Sequence, residues 1–234
     1  MSAPALSLAF FDPEHGLHGN ARTGATLLFE GSSSNVLPEG PAIERDGGGW
    51  HAELDGAFSL RLTPVAEGAL LGPVTAHVCA VTGTVGAQEV DCLGTLAETR
   101  TAPAWDDLDA LRTVSAVFDP EHAFLALARR PRGAPGHDEE QVLGWLLHGG
   151  EAVSVEETRL STVYDGAGRQ RSAGLELWLP GEEYPQRMAG TVVAGSSLAL
   201  EGLDVHAAVF RWRMGDREGA GAYELWARPD PQAA

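Results

Sequence analysis

The chain contains no lysine: all sixteen basic residues are arginine, set against 33 aspartates and glutamates. The net charge of -17 repels phosphate backbones and anionic lipid, which need a basic footprint to release counterions. Nucleic acid is therefore not an expected partner. Cysteine is also scarce. Cys79 and Cys92 do not make a disulfide framework, and free thiols are expected for both in a reducing compartment. No apolar stretch approaches the ~20 residues of a spanning helix, so no membrane insertion is expected. Met1 to Ala9 shows neither a basic n-region nor an apolar run of signal-peptide length, and cytoplasmic localisation is the expectation.

Familiar catalytic motifs are missing as well. No Gly-rich loop ends in Lys, and there is no Gly-x-Ser-x-Gly elbow, His-Glu-x-x-His or Cys-x-x-Cys. This argues against nucleotide hydrolysis, serine-hydrolase chemistry and structural zinc, and no metal or cofactor is expected.

What is present is β-patterning. Phe58, Leu60 and Leu62 alternate with Ser59, Arg61 and Thr63, as do Leu175, Leu177 and Leu179 with Glu176 and Trp178. Asp46-Gly47, Asp55-Gly56 and Asp165-Gly166 mark turns. Val153 to Leu179 reads as one hairpin about Asp165-Gly166-Ala167-Gly168. The spacing gives roughly fifteen short strands, as in barrels or sandwiches. Gly31 to Gly49 and Pro131 to Glu140 read as loops, the second carrying a solvated His137-Asp138-Glu139-Glu140. Only Ala104 to Leu111 reads as helical, with Leu108 and Leu111 at helical spacing behind Asp106 and Asp107.

An internal repeat organises these elements. Phe11-Asp12-Pro13-Glu14-His15 returns as Phe118-Asp119-Pro120-Glu121-His122. His77-Val78-Cys79-Ala80-Val81, Gly86 and Gly94 are echoed by His206-Ala207-Ala208-Val209-Phe210, Gly215 and Gly221. Two echoes in the same order indicate a duplication. The expected layout is an N-terminal β half (1–103), a connecting helix (104–111), a C-terminal β half (112–228) and a flexible tail (229–234).

The Asp-Pro-Glu-His repeats offer carboxylates and imidazoles, but Asp followed by Pro is first a turn in which Asp caps its own backbone. His77 and His206 stand at matching places, either as strand histidines bonded to backbone or as imidazoles facing a cavity.

The run Phe10 to Arg22 (FFDPEHGLHGNAR), the segment Gly94 to Leu111 with its Trp-Asp-Asp-Leu, and the closing Gly219 to Trp226 (GAGAYELW) together resemble the two-domain, lipocalin-like superfamily of carotenoid 1,2-hydratases and related cyclases. The resemblance implies two antiparallel barrel-like halves packed together around a mainly apolar cavity. Its ligand would be a terpenoid, polyene or lipid-like molecule. The chain departs from the pattern just after its first half, where Glu98 to Asp106 contains no histidine. The expected chemistry is cofactor-free hydration, cyclisation or isomerisation by a protonated acid between aromatic walls. Glu98 and Glu224 are the candidate acids and His77 or His206 the proton partner. Trp105, Tyr223 and Trp226 are the candidate ligand-binding walls. A non-catalytic carrier or sensor of lipophilic ligands, and a β-sandwich carbohydrate or protein interaction module with exposed tryptophans, are the alternatives.

Overall fold

A computed structural model describes residues 4–134 and 139–229. Ten strands form the first sheet: β1 (Ala5–Asp12), β2 (Leu17–Arg22), β3 (Ala25–Glu30), β4 (Ser33–Leu37), β5 (Ala42–Asp46), β6 (Gly49–Leu54), β7 (Phe58–Pro64), β8 (Ala69–Leu71), β9 (Val74–Val85) and β10 (Gln88–Thr99). Nine form the second: β11 (Leu108–Asp119), β12 (His122–Pro131), β13 (Gln141–His148), β14 (Glu151–Val153), β15 (Glu157–Tyr164), β16 (Gln170–Trp178), β17 (Gln186–Leu200), β18 (Leu203–Met214) and β19 (Arg217–Ala227).

The strand order is β4-β3-β2-β1-β10-β9-β7-β6-β5 in the first sheet and β14-β13-β12-β11-β19-β18-β17-β16-β15 in the second, antiparallel throughout. One order maps onto the other strand for strand, with β8 as the first sheet's addition. The two Asp-Pro-Glu-His turns join β1 to β2 and β11 to β12, which are equivalent places. Each half is a curled, antiparallel sheet.

Period-two alternation places the cores. Within the first half, Leu8, Phe10, Trp50, Leu60, Leu62, Val81 and Leu96 pack together on one face. Val114, Phe124, Leu175, Phe210, Trp212 and Tyr223 do the same in the second. The opposite faces join the halves. Ala9, Phe11, Leu71 and Val78 meet Val117, Leu125, Leu127 and Leu147, and Leu27 and Phe29 meet Ala194, Ala207 and Val209. No helix among the described residues is long and apolar enough to cross a membrane.

Three expectations change. The helix expected over 104–111 is a single 3-10 turn, Trp105–Asp107, and Leu108 already opens β11. Pairing with β12 outweighs helical spacing here, since alternate burial of Leu108, Ala110, Arg112 and Val114 suits a strand. The segment Gly31 to Gly49 holds β4 and β5, outer strands whose polar composition matches their exposure. Glu140 is not solvated: its side chain is 1% exposed and ion-paired with Arg112. His137 and Asp138, like most of the tail at 230–234, lie outside the described residues. The hairpin about Asp165 forms as expected, as β15 and β16, with Gly168 at φ 76°.

Candidate functional site

The faces that join the halves do not close completely. Between them lies a cleft of about 890 Å³. Its walls are Ala5, Ser7, Ala9, Thr95, Ala97 and Thr99 of the first sheet and Leu111, Thr113, Leu125, Leu127, Ala222, Glu224 and Trp226 of the second. The connector Arg100 to Trp105 runs along it, and the β17–β18 tip adds Leu200 and Glu201. The connector is held in place: Arg228 donates to the carbonyls of Trp105 and Leu108, and Arg132 Nη1 donates to that of Asp106 at 3.2 Å.

A hydrogen-bonded polar cluster stands on this wall. Asn20 and Arg22, two residues apart on β2, present one face of their strand, as do Glu224 and Trp226 on β19. Glu224 is 4% exposed. Its Oε1 accepts from Asn20 Nδ2 and from the Arg22 guanidinium, and its Oε2 accepts from Trp226 Nε1 at 3.0 Å. Arg22 also lies over the Trp226 ring, 4.5 Å from its centroid, and donates to Asn20 Oδ1 at 3.1 Å. The cluster ties β2 of one half to β19 of the other. Every partner of Glu224 is a donor, so this carboxylate acts as an acceptor; Oε2 keeps one lone pair for a further donor.

The residues singled out from sequence fall in three places. Glu224, Trp226 and Trp105 line the cleft. Glu98 and His77 lie on the inner face of the first half instead, where Glu98 Oε1 is 3.7 Å from His77 Nε2 and accepts from Arg45 Nη2 at 2.6 Å. The Trp50 ring packs 4.9 Å from His77, under the Arg45 guanidinium. Burial pushes the His77 imidazole below its usual range against the pull of Glu98. Tyr223 and His206 lie on the inner face of the second half. Tyr223 accepts from Arg112 Nη1 at 3.0 Å and shares a 2.7 Å hydrogen bond with Thr162, and burial pushes its phenol up. His206 shares a 2.7 Å hydrogen bond with the Ser197 hydroxyl, and burial lowers it too. Strand alternation explains the split of Tyr223 from Glu224: neighbours on a strand face opposite sides.

Asn20, Arg22 and Arg112 were not foreseen as site residues. Asn20 and Arg22 had a visible signal, two polar side chains at period two on a strand beside an otherwise apolar one. Their partner, 204 residues away for Asn20, was not visible. The Asp-Pro-Glu-His segments do form capped turns: His15 N donates to Asp12 Oδ1 at 3.2 Å and Glu121 N to Asp119 Oδ1 at 2.8 Å. Cys79 and Cys92 are unpaired, and burial pushes both thiols up to about 12.

No protein family matches the chain by sequence, and no curated protein matches it significantly. Solved structures do. An AttH candidate from Nitrosomonas europaea superposes with a TM-score of 0.66 at 12% identity, covering 97% of this chain and 93% of that one. Kievitone hydratase from Nectria haematococca superposes with a TM-score of 0.60 at 10% identity, covering 96% and 89%. Over nearly its whole length, the chain therefore shares the two-domain, lipocalin-like fold of these two structures.

Proposed function

We propose that the chain is a cytoplasmic protein that holds an apolar, unsaturated small molecule, of terpenoid, polyene or lipid-like class, in the cleft between its halves. It acts on that molecule by cofactor-free acid/base chemistry of the hydratase, isomerase or cyclase kind. The observation that carries the reading is a buried carboxylate, Glu224, on a largely apolar wall. The fold's use by a hydratase supports the reaction class. The partner arrangement changes the role expected of this acid. Arg22, Asn20 and Trp226 all donate to it, so Glu224 starts as a base rather than as a proton donor. In a hydration it takes a proton from water as the new C–O bond forms, and the π pair of the double bond becomes the C–H bond on return of that proton. In an isomerisation the same carboxylate carries a proton from one carbon to another. Trp226 and Trp105 supply aromatic walls against which the unsaturated body packs.

A carrier without chemistry is the second reading, favoured by the three donors that already engage Glu224. A sugar-binding module has less support, because none of the six tryptophans is exposed. Binding and turnover separate the first two. A polyene probe should bind and be converted, and Glu224→Gln should bind it within a few-fold while losing roughly 10²–10⁴ in rate. Binding without turnover in both proteins would leave the carrier. Absence of binding by any apolar probe would sink the cleft reading altogether.

A further inference from the structure

Resting on the cleft reading, we infer that the ligand is an amphipathic acid: an apolar body bearing one carboxylate, which Arg129 and Arg100 receive. Both arginines line the cleft. Ten of the sixteen arginines have a carboxylate partner among the described residues, the expected state where acids outnumber them about two to one. Arg129 and Arg100 have none, and neither side chain makes a hydrogen bond to a described residue. Arg129 is half-buried and Arg100 exposed, and a guanidinium without a carboxylate partner beside an apolar cleft is an open fork of donors suited to a carboxylate.

Their placement sets the ligand's orientation. Trp226, Leu111 and Arg129 form one row across β19, β11 and β12. Adjacent strands are about 4.8 Å apart, so Arg129 leaves the sheet roughly 10 Å from Trp226. Arg100 comes from the connector of the other half. A carboxylate held by this pair leaves the apolar body to run over Leu111 toward Trp226 and Glu224. The acids of the cleft do not compete for Arg129. Glu224 is engaged by its three donors, and Glu201 is exposed at the tip of β18, three strands away from β12. The net charge of -17 opposes anion binding at large, so a preference for an acid has to come from this local pair.

Fluorescence titration of the full chain with cis-parinaric acid and with its methyl ester tests the inference. The acid should bind at least about tenfold more tightly at low salt, and the preference should shrink in 0.5 M salt. Arg129→Gln should bring the two probes within about threefold by weakening the acid alone. Arg129→Lys should keep part of the preference, and Arg100→Gln should reduce it. Ala97→Trp, which fills the cleft, should weaken both probes and so locate them. Equal binding of acid and ester to the parent, or a preference unchanged in both Gln variants, overturns the inference while leaving the cleft as the binding site. Failure of both probes to bind the parent overturns the cleft reading and the inference with it.

Discussion

The inner faces of the two halves carry their largest side chains on different strands. In the first half the row Trp50–Leu62–Val81 crosses β6, β7 and β9; the equivalent row of the second is Ala173–Gly190–Trp212. One tryptophan fills each row, displaced across two strands. The neighbouring rows repeat the exchange. Phe10 faces Gly19, where a methyl would overlap the Phe10 ring, whereas at the equivalent place Ala116 faces Phe124. Close packing requires that each large side chain have small neighbours or space around it, not that any one position keep its residue. Volume that moves between strands erases sequence similarity while leaving strand order intact.

The repeated pentapeptide shows the converse, the same residues put to different use. After Asp12, four residues pass before β2 begins at Leu17; after Asp119, His122 already opens β12. An irregularity between Val117 and Asp119 turns Phe118 toward the second core, whereas Phe11 packs between the halves. The His15 side chain is 45% exposed; that of His122 is 11% exposed, with its ring 5.1 Å from His148.

The largest expected effect tests where the halves differ in polarity. The first half has Leu6 at the place where the second buries Arg112, paired with Glu140 and bonded to Tyr223 and Thr162. Arg112→Leu alone should destabilise the protein by about 3–5 kcal/mol, because it leaves Glu140 buried without its cation. Arg112→Leu with Glu140→Leu should recover at least half of that loss in urea unfolding. A double variant as unstable as the single one would show that the pair is not replaceable by the first half's solution.

The next effect tests the displaced tryptophan. Trp212→Val should cost about 2–4 kcal/mol through the cavity it leaves. Gly190→Leu should also destabilise, since a Cβ there stands 2.6 Å from the Trp212 ring. Together they recreate the Leu62–Val81 pair and should cost less than their sum by more than ~1 kcal/mol. Strict additivity would break the claim that the rows are equivalent.

These exchanges also explain what was legible in the sequence. Alternation at Phe58–Leu62 and Leu175–Leu179 showed strands, and the repeated turn showed the duplication, because both are local. The connector was misread because Leu108 and Leu111 fit a helix locally, and only pairing with β12 and β19 decides otherwise. His77 and His206 matched in sequence at equal distances from Gly86 and Gly215. The first hairpin is two residues longer on each strand beyond its glycine rung, Cys79–Gly94 against Phe210–Gly221, so the two histidines occupy different rungs. The cleft cluster joins β2 to β19, and no local pattern could announce it.

The smallest expected effect uses those histidines to compare the halves under acid. Burial lowers His18, His77 and His206 below their ordinary value of 6.5. A histidine lowered on folding is neutral in the native state and takes up its proton first in the unfolded chain. Its contribution is full above 6.5 and is lost as pH falls through the lowered native value. Stability in urea should therefore decline between pH 7 and pH 5, above the range in which ordinary carboxylates titrate. Two of the three histidines, His18 and His77, are in the first half, and His77 also feels the nearby Arg45. Hydrogen exchange at pH 5.5 should loosen β2 and β9 more than β12 and β18, relative to pH 7. His77→Gln and His18→Gln should flatten the pH dependence, each more visibly in the first half than His206→Gln does. A decline that persists in the triple variant, or equal loosening of both halves, would assign the acid sensitivity to other groups and remove this distinction between the halves.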